Sequence, residues 1–282
     1  MPLLWQKAGP SGTTTATYWP AIDPTTGNVW VTSIYEARFW IFSPAGKFLE
    51  AWGTPGKAPG QFTLRHGPDA GGAVAFAPDG SIFVVDGGNQ RVEKFDAGRH
   101  FLKAWGSFGT DDGQFADPRG IATDGKAVYV TDAARGDVQV FDANGRFLRS
   151  FPIPFVLFSL APSGHLFVAD QTGILELDGS GHQVAHHDLD FAALGGNDLE
   201  GGHAGSQTAV DRAGHIYVGV QSDAGPLALV ELDPTGAILH SWSTGGETMA
   251  LSPDGKVVYL AYTGPPTPPG WPDLRAYALP KP

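Results

Sequence analysis

The sequence predicts an all-β fold: six four-stranded blades arranged around a channel, a six-bladed β-propeller. Three observations predict it. One phrase recurs six times, namely a turn ending in Gly, an apolar strand, a polar loop, a strand ending in an aromatic, another Gly turn and an aromatic-rich strand. The turn glycines Gly27, Gly80, Gly125, Gly164, Gly214 and Gly255 recur at roughly 40 to 50 residues, the interval of four-strand blades. The last copy stops after Arg275-Ala276-Tyr277-Ala278-Leu279, where earlier copies continue into a fourth strand such as Phe48-Leu49-Glu50-Ala51-Trp52-Gly53. Leu3-Leu4-Trp5-Gln6-Lys7-Ala8-Gly9 is similar to that missing strand. The two chain ends are therefore expected to complete one blade and close the ring.

Each element follows from composition. Val29-Trp30-Val31-Thr32, Ala127-Val128-Tyr129-Val130, Leu166-Phe167-Val168-Ala169, Ile216-Tyr217-Val218-Gly219 and Val257-Val258-Tyr259-Leu260 are β-branched and aromatic runs bounded by turn residues. They are apolar on both faces, as strands between neighbouring blades must be. Trp52, Trp105, Phe151 and Trp242 near the ends of the fourth strands have the bulk to fill the space that widens toward the rim. No helical periodicity of useful length interrupts the pattern. The six copies consume residues 1–282, so a single domain is expected.

Composition narrows the function classes. At 42% hydrophobic and 17% charged, the chain can bury a large core. A formal charge of −11 with 18 Lys and Arg disfavours nucleic acid as a partner. The absence of cysteine excludes thiolate chemistry and disulfides and suits any compartment. No signal peptide is legible at Met1-Pro2-Leu3-Leu4-Trp5, which fits a cytoplasmic protein or a trimmed secreted or periplasmic one. No apolar run is long enough to insert into a membrane, and a monomer is expected.

Gly113-Gln114-Phe115, Pro118-Arg119-Gly120-Ile121-Ala122, Tyr129-Val130-Thr131-Asp132 and Val138-Gln139-Val140-Phe141 together resemble the NHL repeat. Gly60-Gln61-Phe62 and the run Asp86 to Phe95 resemble it again in the second blade. The resemblance implies a six-bladed propeller, in agreement with the independent count. Two enzyme families of this architecture are distantly similar. Peptidyl-hydroxyglycine amidating lyases imply zinc held by His near the inner strands, but here Pro118 is followed by Arg119. The gluconolactonase-like, calcium-dependent propellers imply a Glu-Gly-Pro before the first blade, where this chain has Tyr18-Trp19-Pro20.

A concave channel mouth is the expected site. Aligning the copies places Tyr18, Trp19, Arg119, Gln207 and Glu247 there. Two entry loops are longer than in blade 3: Thr63 to Asp69, with Arg65 and His66, and Gly195 to His203, with Asp198 and Glu200. They belong to blades 2 and 5, opposite one another in a six-bladed ring. His66 and His203 read either as solvated loop histidines or as a functional pair. In the functional reading they serve as catalytic residues with Glu200, or as metal ligands with Asp198. Zinc needs three protein ligands and an open position, so the cofactor stays open between none, Zn and Ca. Arg65 joins Tyr18, Trp19, Arg119, Gln207 and Glu247 as a candidate ligand contact. The expected partner is a small molecule or a peptide. A metal-dependent lyase or hydrolase is the alternative; a protein- or RNA-binding scaffold ranks below both, the RNA reading being disfavoured by the charge.

Two conspicuous clusters are expected to be structural. Asp86, Asp132 and Asp170 recur after the second strands, where a carboxylate can accept the turn's own N–H groups. His182, His186 and His187 fall in the outer strand of blade 4, where alternation splits neighbours between faces, and surface positions are expected.

Overall fold

The structure is a computed structural model, described here for residues 1–7, 17–66, 69–70, 72–153, 158–170, 172–189, 208–222, 225–243, 248–261 and 274–280. Six antiparallel four-stranded sheets are present. Blade 1 comprises Thr17–Ile22, Val29–Ser33, Arg38–Phe42 and Phe48–Trp52. Blade 2 comprises Val74–Phe76, Ile82–Asp86, Arg91–Phe95 and Phe101–Trp105, and blade 3 Pro118–Thr123, Ala127–Asp132, Asp137–Asp142 and Phe147–Pro152. Blade 4 comprises Ser159–Leu160, Leu166–Ala169, Gly173–Leu177 and Gln183–Asp188, and blade 5 Thr208–Val210, Ile216–Ser222, Gly225–Leu232 and Ile238–Ser243. Blade 6 comprises Thr248–Leu251, Val257–Ala261 and Leu274–Ala278, completed by Leu3–Lys7.

The first strands touch in sequence around the ring, and Thr248–Leu251 meets Thr17–Ile22 to close it. This is the six-bladed β-propeller that the repeats predict. Closure runs through the expected segment: Leu3–Lys7 pairs antiparallel with Leu274–Ala278, with Lys7 opposite Leu274 and Leu3 opposite Tyr277. Trp5 fastens the join a second time. Its ring lies 5.8 Å from that of Tyr259, and its indole N–H donates to Pro44 O in blade 1 at 2.9 Å. No described helix is long and apolar enough to cross a membrane.

Second and third strands are buried on both faces, and the core lies between blades. The cluster between blades 1 and 2 joins Trp30, Phe39, Ile41, Phe62, Ile82, Val84 and Phe95, with Trp52 packed against it. Trp52 sits edge-on to Phe62 at 5.4 Å and to Phe95 at 4.9 Å, the rim-filling role its position predicts. The fourth strands are the most exposed: Phe147–Pro152 alternates, whereas Phe48–Trp52 is exposed up to a half-buried Trp52. Turn glycines lie at the end of the ring opposite the mouth. Gly80, for example, has φ +84°, a conformation that costs a residue with a Cβ.

Candidate functional site at the channel mouth

The mouth is the end at which first strands begin and second strands finish, as Thr17 opposite Ser33 and Pro118 opposite Asp132 show. Buried hydroxyls stitch its wall. Thr32 Oγ1 donates to Gly72 O at 2.6 Å, from blade 1 to the entry of blade 2. Thr208 Oγ1 donates to Phe167 O at 2.8 Å and lies 2.9 Å from Ser159 Oγ, joining blades 4 and 5. Gly120 N donates to Thr131 Oγ1 at 2.8 Å. Three further buried oxygens at this end, Ser33 Oγ, Thr248 Oγ1 and Asp117 Oδ1, have no hydrogen-bond partner among the described residues. Buried polar atoms are rarely left so.

Arg119 reaches the mouth as aligned, already braced. Its Nε and Nη2 both donate to Asp117 Oδ2, at 2.9 and 2.7 Å. The Asp117 N–H in turn donates to Asp132 Oδ1 at 3.0 Å, and Asp132 is fully buried. The guanidinium is thus held in one orientation by a chain of contacts from the core, with a planar fork suited to carboxylate or carbonyl oxygens.

Trp19 and Arg119 share a feature that the repeat alignment does not reveal. The register of blade 1's first strand slips between Tyr18 and Pro20, and that of blade 3's slips between Pro118 and Ile121. Both residues therefore sit in β-bulges at the start of an inner strand. Trp19 has φ +46°, a left-handed conformation uncommon for a bulky residue, and its ring packs against the blade 1–blade 2 core. Bulges re-aim side chains and are frequent beside active sites. In blades 2, 4 and 5 the described first-strand ladders begin only at Val74, Ser159 and Thr208, past the equivalent position. Pro20 and Gly120 in the sequence are the only local hints.

The remaining predicted residues are placed less fully. Tyr18 lies opposite Thr32 in the strand ladder, while its side chain lies outside the described residues. The entry loop of blade 2 is not a plain loop: Arg65–His66 and Asp69–Ala70 form a two-stranded ladder, His66 opposite Asp69, held against the Gly87–Asn89 turn. The Arg65 and His66 side chains lie outside the described residues, as do Asp198, Glu200, His203, Gln207 and Glu247. Among the described residues no group of three or more His, Asp or Glu could hold a metal ion.

The recurring acids are structural, with a wider reach than their own turns. Asp132 accepts from its turn's Ala134 and Arg135 N–H, and also from Ala116 and Asp117 in the preceding connector. Asp86 accepts from Thr63 N at 2.6 Å and from Arg91 Nε at 2.8 Å. The Gly-Gln-Phe motif forms the connectors that these acids hold. Phe62 N donates to Thr54 O, Phe115 N to Ser107 O, and both phenylalanines are fully buried. Gly109 has φ +155°, and a Cβ there would lie 1.9 Å from Gln114 Oε1, so the motif's glutamine occupies the space that a side chain would need.

Two neighbouring buried acids, Asp86 and Glu93, have their pKa raised by burial, that of Glu93 to about 7. Glu93 accepts from Gly60 N at 3.3 Å and pairs with Arg91 Nη2 at 2.9 Å, while its Oε2 has no partner. Burial pushes its carboxyl from 4.5 up to about 7, opposed by Arg91 and reinforced by Asp86. At the same repeat position in blade 3 stands neutral Gln139, which accepts from Gly113 N at 2.8 Å and donates to Gln114 O at 2.6 Å.

The blade 4 histidines depart from expectation. His182 is exposed. His187, however, is buried, stacks on Phe167 at 6.4 Å and faces Glu176. The space between blades 4 and 5 requires a flat ring there, and a Cβ on Gly236 would touch it. His186 bridges Asp170 and Asp188 at 3.0 and 2.8 Å. Burial opposes its protonation, but the two carboxylates outweigh that and hold its pKa above 6.5.

No protein-family model matches the chain, and no curated protein does. Solved structures match its fold. A gluconolactonase from Xanthomonas campestris is 13% identical with a TM-score of 0.64, covering 99% of this chain and 89% of that one. A streptogramin B lyase is 14% identical with a TM-score of 0.58 over 95% of this chain and 81% of that one. A virginiamycin B lyase from Staphylococcus aureus is 12% identical with a TM-score of 0.56 over 94% and 95%. At these identities the likeness is one of fold.

Proposed function

We propose that the protein is an NHL-like propeller, one domain over residues 1–282, that binds a small molecule or a peptide segment at the channel mouth. Arg119 supplies the charged contact and Trp19 the aromatic one. The paired bulges carry this reading. Two inner strands, in blades 1 and 3, abandon regular pairing at the same point, and each does so at a residue suited to ligand contact. They flank the entry hairpin of blade 2, which adds Arg65 and His66, while Tyr18, Gln207 and Glu247 are the further candidates around the mouth. Asp117 orients the guanidinium, and its unpartnered Oδ1 can accept from a ligand donor. The test is a calorimetric panel of small carboxylates, lactones and acyl peptides. A binder should lose about tenfold or more in affinity in an Arg119→Gln, Asp117→Asn double variant of unchanged melting temperature. A binder whose affinity is the same in that variant would overturn the reading.

The second reading is a metal-dependent lyase or hydrolase at the same mouth, favoured by the names of the structural neighbours. His66 and His203 would be ligands, or would act as acid and base, with Asp198 or Glu200 completing the set. Elemental analysis of tag-free protein separates the two. A stoichiometric Zn or Ca lost in His66→Ala or His203→Ala supports the enzyme, and metal-free protein rules out this form of it.

A further inference from the structure

A second concavity lies at the end of the ring opposite the mouth. Between blades 1 and 2 is a groove of about 220 Å³ bordered by the Asp23, Thr25, Thr26 and Asn28 turn of blade 1, by Gly80, Ala97 and Arg99 of blade 2, and by Trp30, Ile41, Glu50, Phe76 and Ile82. Its position follows from the elements: these are the ends of strands and turns farthest from the mouth. Its volume is below the roughly 300–1,000 Å³ of pockets for drug-sized ligands.

Two observations set it apart from an ordinary crevice. Trp30 is 4% exposed, and its indole N–H is buried without a hydrogen-bond partner among the described residues. Its ring is fixed by edge contacts to Phe76 at 5.2 Å and Trp52 at 5.4 Å, so it cannot turn to find an acceptor within the core. Arg99 Nη1, also on the groove, is buried and unpartnered as well, while Nη2 of the same guanidinium donates to Glu50 Oε1 at 2.8 Å. The two unmet groups on this wall are both donors. Leaving a donor buried and unmet is unfavourable.

Three of the four carboxylate oxygens nearby are engaged. Asp23 Oδ1 accepts from Thr25 N and Thr26 N, and Oδ2 accepts from Thr26 Oγ1. Glu50 is held by Arg99. With Asp23 and Glu50 negative and Arg99 positive, the lining carries a formal charge of −1, so an anionic ligand meets net repulsion. Ile41, Phe76, Ile82 and the Trp30 ring offer an apolar wall.

We infer that this groove binds a small neutral molecule with a carbonyl or amide oxygen on a compact apolar body, the oxygen meeting the unmet donor of Trp30 or of Arg99. The site is separate from the mouth, and the inference does not rest on the function proposed there.

Acetanilide is the probe: neutral, with one amide oxygen and one ring. The readout is the indole ¹⁵N–¹H spectrum of the whole protein, with the Trp30 signal identified by its loss in Trp30→Phe, a variant used for assignment only. Acetanilide should move that signal saturably. Toluene, without an acceptor, should bind about tenfold more weakly, and benzoate should bind more weakly than acetanilide because of the local charge. Ala97→Phe, at an exposed turn position on the groove, should abolish the response without lowering the melting temperature. Four results would overturn the inference: no shift up to the solubility limit, an unchanged response in Ala97→Phe, equal binding of toluene, or preference for benzoate. A persistent water cross-peak to the Trp30 indole with no response to acetanilide would identify ordered water in place of a ligand, and would overturn it too.

Discussion

Blades 2 and 3 differ from blade 4 in how one recurring aspartate is used. In blades 2 and 3, Asp86 and Asp132 are fully buried and reach back into the preceding connector, to Thr63 N and to Ala116 and Asp117 N. In blade 4, Asp170 serves its own turn, accepting from Thr172 and Gly173 N, and binds His186 on the outer strand. The same residue at the same repeat position therefore does two jobs. The difference lies in the neighbour: blades 2 and 3 follow Gly-Gln-Phe connectors whose N–H groups need an acceptor, whereas the run before blade 4, Pro152-Ile153-Pro154-Phe155-Val156, has no such motif. Even the arginine grip is improvised within the device. Arg91 donates to Lys57, Ala58 and Gln61 carbonyls, whereas in blade 3 Arg135, from another position, grips Thr110 and Asp111.

The most severe way to probe this contrast is to open the ring and see which blades stand alone. Deleting residues 1–7 removes the fourth strand of blade 6 and the Trp5 contacts to Tyr259 and Pro44. The melting temperature by circular dichroism should fall by more than about 10 °C. Proteolysis should then begin in blade 6 and reach blades 2 and 3 last. Intact melting in the truncated chain would mean that closure carries little of the stability.

Next in size, Asp132→Ala should cost about 3 kcal/mol in urea unfolding, because it strands two connector N–H groups, and Asp170→Ala about 1 kcal/mol. Equal losses would erase the distinction between the two roles. Glu93→Gln, which copies Gln139, comes third. A carboxyl raised to about 7 from 4.5 binds its proton more tightly when folded, so its contribution to stability falls as pH rises from about 4.5 through 7. The variant should flatten that fall and gain about 1–2 kcal/mol above pH 7, net of the lost Arg91 contact. His186→Gln is the smallest. With its pKa held above 6.5 when folded, His186 stabilises fully below pH 6.5 and loses that contribution as pH rises through the folded value. Under about 1 kcal/mol is at stake, and the variant should lack that slope.

Much of this architecture was legible before folding. Blade number, the turn glycines and the closing strand are written locally, in runs of apolar residues and in glycines that tolerate positive φ. The candidate site was legible only as positions. Arg119 was placed at the mouth by alignment, but its brace on Asp117 and the bulges at Trp19 and Arg119 depend on strand register, which no single repeat encodes. His187 shows the limit from the other side. Alternation assigned it a face, yet whether that face meets water or blade 5 is decided by the neighbouring blade.

The sequence by itself determined the strands, their grouping into blades and the join between its ends, because turns and alternation act over a few residues. Only the tertiary structure decided which polar groups are buried and with whom. Glu93 at about 7, the Asp132 grip on its connector and the unmet donors of Trp30 and Arg99 all arise where segments distant in sequence exclude water from one another. Desolvation is a property of the packed ring, and no stretch of sequence contains it.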